Sequence, residues 1–250
     1  MTYRFSVYAY RIGEISENIF LILMWIIIYH NGAQVIKGFT LNEMVSYLLI
    51  GNFIDVIVRN WLSPVVAGDI KDGRLSMFLV KPMKYLHYII AREIGRISFA
   101  LIMSVLSNLI IVLLFKKYLA LSFDWILFII VVLMVVLAFV VELLISYLVG
   151  LIAFWILEVE SVFYTVERVK KFFSGAYFPI SLLPKQFLAV SFFLPFAYSY
   201  FVPAQLFLGK LDIYIGLRGL AVQVIWIVLL LAVIKIVWLK GIRQFEGAGI

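Results

Sequence analysis

The sequence predicts an all-α integral membrane protein with six transmembrane helices, an N-terminal interfacial helix and a re-entrant helical hairpin between helices 5 and 6. The first observation is composition: 65% of the 250 residues are hydrophobic and 14% are charged, whereas soluble domains average about 45–50% and about 25%. The second is a series of apolar stretches of roughly bilayer-spanning length. The third is an apolar segment, residues 175–216, that prolines interrupt. We expect one membrane domain over residues 1–250.

Composition also excludes several classes of site. The chain has no cysteine and two histidines, which fall at predicted segment ends, so neither a disulfide framework nor a metal site is expected. The net charge of +7 is explained by basic cytoplasmic loops, and we do not expect nucleic acid as a partner.

Residues 1–18 are predicted to form an amphipathic helix in the membrane interface. Apolar side chains recur every three or four residues on one stripe, with charged side chains toward the other side. The stripe is Phe5, Tyr8, Ile12, Ile15 and Ile19, and the charged side is Arg4, Arg11, Glu14 and Glu17. The pattern is typical of an interfacial helix, although it also suits an extended start of the first span.

The predicted spans follow the apolar stretches in chain order. They cover residues 19–29, 41–62, 88–115, 123–148, 152–173 and 217–239. Lysine and arginine are more frequent on the side that holds both termini, which predicts cytoplasmic termini. The depth of Arg168, Lys170 and Lys171 stays open.

The segment 64–82 mixes charged and large apolar residues between Pro64 and Pro82. A cytoplasmic loop without a partner does not need so many apolar groups, so the pattern indicates docking into a groove on another protein. An interfacial helix on lipid headgroups explains the pattern equally well, and the sequence leaves both open.

The segment 175–216 is apolar but contains Pro179, Pro184, Pro195 and Pro203. Prolines at this frequency break a straight helix, and irregular backbone at membrane depth needs protein or water around it. We therefore predict a hairpin that enters from the outer face and returns. A pair of kinked spans is the alternative.

Glu142 lies deep within the fourth predicted span. A carboxylate in hydrocarbon is costly and usually faces the bundle interior, so Glu142 is expected to be neutral or paired with a base from another span. It is a candidate for the substrate path or for a helix contact. The fifth segment is rich in charge, and Glu167 and Lys171 are spaced to pair.

Signatures of catalysis are missing from the sequence. No phosphate-binding loop of the G-x-x-x-x-G-K-[ST] type occurs, nor any G-x-S-x-G or H-E-x-x-H motif. We therefore expect a non-enzymatic chain without its own ATPase site.

Two motifs carry a resemblance to a known family. The first is Gly73-x-Leu75-x-x-x-Leu79-x-Lys81-Pro82, and the second is Gly175-x-x-x-Pro179-x-x-x-x-Pro184 followed by Pro195, Pro203-Ala204 and Leu208-Gly209. Their order on six predicted spans resembles ABC-2 type ABC transporter permeases, especially the domain-of-unknown-function 990 branch. The resemblance runs along nearly the whole chain.

The resemblance implies roles for these motifs. The first would be the cytoplasmic coupling segment that receives force from a separate ATPase: Asp69, Ile70, Lys71, Asp72, Gly73, Arg74, Leu75, Met77, Phe78, Lys81 and Pro82. The second would be the external gate: Gly175, Phe178, Pro179, Pro184, Pro195 and Pro203. Residues 1–18 would be the connecting helix.

The resemblance also implies partners and location. Two ATPase subunits would bind ATP and Mg, this chain would hold no cofactor, and a second permease, the same or a different chain, would complete the complex in the bacterial plasma membrane. The expected function is export of an apolar or amphipathic substrate such as a drug, lipid or peptide. The alternative is an ion-coupled secondary carrier or lipid flippase that works without an ATPase.

Overall fold

The computed structural model describes residues 2–32, 35–120, 124–156 and 158–245, and it describes side chains there except those of 2–12, 14, 103, 106 and 107. The structure therefore gives no side chains for most of the predicted N-terminal stripe. Phe123, at the start of the fourth predicted span, and the tail 246–250 lie outside the described residues.

The described chain is almost entirely helical. The α-helices are α1 (Thr2–His30), α2 (Leu41–Val58), α3 (Leu62–Lys71), α4 (Leu75–Leu79), α5 (Tyr85–Phe115), α6 (Trp125–Leu151), α7 (Val159–Ser174), α8 (Lys185–Phe193), α9 (Phe196–Ser199), α10 (Phe201–Phe207) and α11 (Ile213–Gly241). Strands β1 (Val35–Ile36) and β2 (Phe39–Thr40) pair antiparallel. Short 3₁₀ turns cover Lys116–Tyr118, Ile152–Phe154 and Ile180–Leu182.

The long helices alternate in direction between two ends. At the hairpin end, formed by residues 35–43, 116–120 and 208–212, Lys210 Nζ lies 2.8 Å from Glu43 Oε1 and the Ala120 amide donates to Ser46 Oγ. At the tail end, formed by residues 59–85, 151–156, 158–159 and 238–245, the ring of Phe154 packs on Gly241. Helices α1, α5 and α7 run toward the hairpin end, and α2, α6 and α11 run away from it.

Helix α1 is continuous from Thr2 to His30. The sequence predicted two elements, an interfacial helix ending at residue 18 and a span starting at residue 19, but no helix break separates them. The apolar stripe and the span share one helical period, so nothing in the sequence stops the helix between them.

Helix α2 ends before the predicted limit of the second span at residue 62. The chain leaves the helix at Arg59–Trp61, and α3 starts at Leu62. Pro64 therefore lies in the first turn of α3, where its missing amide hydrogen removes no helical hydrogen bond. Thr40 caps α2 reciprocally with Glu43 in a capping box.

The fifth predicted span is the one that departs furthest from the structure. Residues 152–154 form a 3₁₀ turn after α6, and α7 begins only at Val159. Its 16 residues cover about 24 Å, which is less than the roughly 30 Å hydrocarbon thickness. The short helices of residues 175–207 occupy the part of the hydrocarbon thickness that α7 does not cover.

By length and composition, three of the described helical stretches are able to cross a membrane: Leu41–Lys71, Trp125–Phe154 and Ile213–Gly241. Ile15–His30 is apolar but shorter. Large apolar side chains also cover outward faces, since Ile102 on α5 is 67% exposed and Val228 on α11 is 61% exposed. These faces are typical of an all-α membrane protein, while the count of six spans stays a prediction.

Candidate functional site

Helix α3, where the predicted coupling segment begins, packs closely against α6. The Ser63 amide donates to Ser146 Oγ at 3.0 Å, and the Ser63 hydroxyl donates to the Ser146 carbonyl at 2.7 Å. Gly150 lies directly beneath α3, because a Cβ there would be 2.6 Å from Val66 Cβ and 3.0 Å from the Ser63 carbonyl oxygen. The close approach needs glycine, and it makes α3 and α6 one unit.

Asp69 joins the segment to the start of α5. Its carboxylate accepts from the Tyr85 hydroxyl at 2.8 Å and from Arg74 Nε at 2.9 Å. The hydrogen bond that Arg74 donates to Asp69 is the main cause of the raised pKa of the Arg74 guanidinium, which also lies 2.6 Å from Asp72. Gly73 turns the chain between α3 and α4 at φ +70°, a conformation that other residues rarely adopt.

Burial divides the eleven predicted coupling residues. Leu75 is fully buried, and Asp69, Ile70 and Gly73 are buried with it, so these four hold the segment in place. Phe78 is half-buried. The exposed members are Lys71, Asp72, Arg74, Met77, Lys81 and Pro82, and exposed Val80 adds to them. The name coupling rim is used here for Lys71, Asp72, Arg74, Met77 and Val80.

A buried ion cluster joins α6 to α7. Lys170 Nζ lies 2.5 Å from Glu142 Oε2 and 2.5 Å from Glu167 Oε1. Glu142 and Lys170 are each buried. The three side chains, with nine others, line a cavity of about 50 Å³ between α2, α6, α7 and α9. The structure therefore places a base from another helix against the Glu142 carboxylate.

Further charges surround the same cavity. Arg59 pairs with Asp55 on α2, and Lys171 Nζ lies 3.5 Å from Glu17 on α1. The expected pairing of Glu167 with Lys171 is wrong: Glu167 pairs with Lys170, which faces the interior, while Lys171 reaches α1. Among the described residues, no group of three or more histidine, cysteine, aspartate or glutamate side chains could hold a metal ion.

A chain of asparagines connects three helices beside this cluster. Asn18 of α1 donates to Asn52 of α2 at 3.0 Å, and Asn52 donates to Asn108 of α5 at 2.5 Å. Polar side chains of this kind bond across helices in a membrane. These asparagines are not among the residues predicted from the sequence, although isolated asparagines inside apolar stretches are a signal for such contacts.

The predicted external gate residues lie between α7 and α11. Gly175 ends α7 at φ +86°, and its carbonyl accepts from the Tyr47 hydroxyl at 2.6 Å. Gly175, Pro179, Pro195 and Pro203 are buried, Phe178 is half-buried and Pro184 is exposed. The helices α9 and α10 are buried in the core, whereas α8 lies outside them with most of its side chains accessible.

The segment predicted to be external also contacts α2 closely. Tyr200 packs on Gly51, where a Cβ would lie 2.0 Å from the tyrosine oxygen. Tyr200 is buried and lines the cavity that contains Glu142 and Lys170. The buried ion cluster and the predicted gate therefore share a wall, which the sequence could not show because the residues are far apart in the chain.

Comparison with known proteins gives one match. A family model described as "ABC-2 family transporter protein" matches residues 15–249. The curated proteins and the solved structures give no significant match.

Proposed function

The chain belongs to the ABC-2 family of transporter proteins, and from that premise we propose that it is the permease subunit of an ATP-driven exporter. Family membership supports an ABC permease subunit that associates with ABC ATPase partners and the membrane. Export of an apolar or amphipathic substrate, powered through the coupling segment, is the further step. The observation that carries it is the attachment of an exposed coupling rim to α6.

The coupling rim has the chemistry of a protein-docking surface. Met77 is 53% exposed and Val80 is 85% exposed, and the charged members surround these apolar groups. The buried anchors Ile70 and Leu75 fix the rim from below. An ATPase that pushes on the rim would move α3 together with α6, because the hydrogen bonds of Ser63 and the close contact at Gly150 hold the two helices together.

The outer half of the permease would open through the external segment. Tyr47 holds Gly175, and Tyr200 rests on Gly51, so α2 contacts this segment at two levels. A shift of α2 relative to the segment 175–207 would disturb both contacts. We assign the external gate role to Gly175, Phe178, Pro179, Pro184, Pro195 and Pro203 on this basis, and their aromatic neighbours suit an apolar or amphipathic substrate.

Changing Met77 and Val80 to aspartate should uncouple the ATPase. Both side chains are exposed, so the change alters the coupling rim without creating a buried charge. We expect the rate of substrate-stimulated ATP hydrolysis by the purified complex, measured in proteoliposomes, to fall at least tenfold. The matched control is Val35→Asp, which places the same charge on an exposed apolar residue of the hairpin end. Full stimulation in the double variant would exclude the rim as the coupling surface.

The complex itself should be recoverable from its membrane. Mild-detergent purification of this chain should yield two ATPase subunits, with their ATP and Mg, and a second permease copy or chain. Recovery of the chain alone, under conditions that preserve other ABC complexes, would contradict the exporter proposal.

The proposed topology places the tail end and both termini in the cytoplasm of a bacterial cell. The chain has no cysteine, so single cysteines report without background. Cysteines at Lys117 and Lys185, both exposed, should react with an impermeant maleimide in intact cells, and those at Lys71 and Lys240 only after permeabilisation. The reverse pattern would invert the topology.

An ion-coupled carrier or lipid flippase is the second candidate, and the buried charges of α6 and α7 are the observation that favours it. Such a carrier needs ionisable groups inside the membrane, and Glu142, Glu167 and Lys170 meet that need. Transport by the purified chain without any ATPase, driven by an ion gradient, would support this candidate over the exporter.

A further inference from the structure

A large groove opens at the tail end, separate from the buried ion cluster. Its volume is about 610 Å³, within the range of small-molecule sites. The walls come from the link between α4 and α5 and from α6 and α11. Aromatic and aliphatic side chains form most of the lining, among them Phe78, Leu86, Tyr147, Leu231 and Trp238.

Three lysines surround the groove: Lys81, Lys84 and Lys235. Among the residues that the structure describes, no acidic side chain lines it. Within the part of the chain that the structure describes, none of the three lysines forms an ion pair. Lys81 lies over the Phe78 ring, 5.0 Å from its centroid. The groove is therefore an apolar cleft surrounded by positive charge that no described acidic side chain pairs with.

The position of Lys235 along α11 brings its ammonium group toward the headgroup layer. It lies six residues before Gly241, where α11 ends, which is about 9 Å along the helix axis. A lysine at that depth reaches toward the headgroup layer with its long side chain. It is exposed and is directed to the same groove as two lysines from the α4–α5 link.

We propose that this groove binds an anionic glycerophospholipid of the cytoplasmic leaflet. The phosphate lies among Lys81, Lys84 and Lys235, and an acyl chain lies between the aromatic wall and α11. An anionic headgroup matches the three lysines, and an acyl chain matches the apolar walls, so one molecule satisfies both parts of the site. The assignment of the leaflet rests on the proposed cytoplasmic location of the tail end, which cysteine labelling tests separately.

The bound lipid would lie beside the coupling segment. Phe78 packs edge-on against Tyr85, and Tyr85 stacks on Trp238, so the groove wall continues into the contacts that hold α4 in place. Lipid occupancy would thus stabilise the position of the coupling rim. Lys81 and Pro82, expected to contact the ATPase, would contact lipid instead.

The test compares lipid retention by native mass spectrometry of the purified complex. The probe lipids are phosphatidylglycerol and phosphatidylcholine with identical acyl chains, supplied in mixed micelles. We expect the wild type to retain phosphatidylglycerol at least tenfold more than phosphatidylcholine. Changing all three lysines to glutamine should weaken phosphatidylglycerol binding by about a hundredfold, at about fivefold for each lysine.

A matched control removes three lysines at the other end. Lys37, Lys116 and Lys117 are exposed, and their change to glutamine lowers the net charge equally, so retention should be unchanged. Equal losses of phosphatidylglycerol retention in both variants would show that net charge alone causes the effect, and would overturn the proposed lipid site. Displacement of the lipid by millimolar glycerol phosphate would assign the lysines to a soluble phosphate and would also overturn it.

A second measurement uses only the wild-type chain, so it does not require any variant to fold. Phosphatidylglycerol with a photoreactive group in its acyl chain should crosslink to the stretches 78–86 and 231–238 of the wild-type chain. Crosslinks spread evenly over the exposed faces of α5 and α11 would show ordinary bilayer contact and contradict a specific site.

Discussion

Changing Lys170 to methionine should be among the most destabilising single substitutions in this protein. Lys170 is the cation between Glu142 and Glu167, and its removal leaves the buried Glu142 carboxylate and the half-buried Glu167 carboxylate without their shared partner. Breaking a buried pair in this way costs about 3–5 kcal/mol. We expect a large fall in the apparent melting temperature and in the yield of monodisperse protein, measured by fluorescence-detected size exclusion after heating.

Two comparisons isolate the charge effect. Lys185→Met removes an exposed lysine from α8 and should change stability little. Adding Glu142→Gln to Lys170→Met removes one of the two unpaired carboxylates, so the double variant should recover part of the loss. Losses that simply add in the double variant would show that the pair does not carry the effect.

Changing Gly150 to leucine should separate ATPase binding from transport. The new side chain would force α3 away from α6, since even a Cβ lies 2.6 Å from Val66. Overpacking of this kind costs about 1–3 kcal/mol, and here it also breaks the Ser63–Ser146 contacts. We expect the complex to assemble and transport to fall at least tenfold, measured as substrate uptake into inverted vesicles.

Gly95→Leu is the matched control, because a Cβ at Gly95 of α5 meets nothing within 4 Å. It adds the same bulk to a long helix without touching α3, and transport should persist. Full transport in Gly150→Leu would show that α3 need not move as one unit with α6.

The sequence predicted the membrane class, the family and the order of the long helices because these depend on composition and local pattern. The ends of helices were less accurate. Residues 152–158 are apolar enough to continue a span, yet the chain forms a 3₁₀ turn there and α7 begins later at Val159. Hydropathy measures transfer into lipid, and it does not report where a helix ends against its neighbours.

The candidate sites show the same limit. Sequence pattern predicted a coupling segment, but it gave no means of separating the buried residues Asp69 and Leu75 from exposed Met77. Spacing on one helix suggested that Glu167 pairs with Lys171. In the structure Glu167 pairs with Lys170, because Lys170 faces Glu142 on another helix. Contacts between distant parts of the chain, such as Asn52 with Asn108, depend on tertiary packing.

The ion pair between α6 and α7 also sets a requirement on biosynthesis. Glu142 is translated 28 residues before Lys170, so α6 must enter the bilayer while its carboxyl group has no partner. One acidic residue at mid-helix costs about 2.5–3.5 kcal/mol on insertion scales, which the long apolar sequence of α6 is able to offset. Helix α7, short and rich in charge, has no such reserve. Its stable insertion therefore depends on α6 already being in the membrane, so that the order of synthesis provides Lys170 of α7 with its partner Glu142.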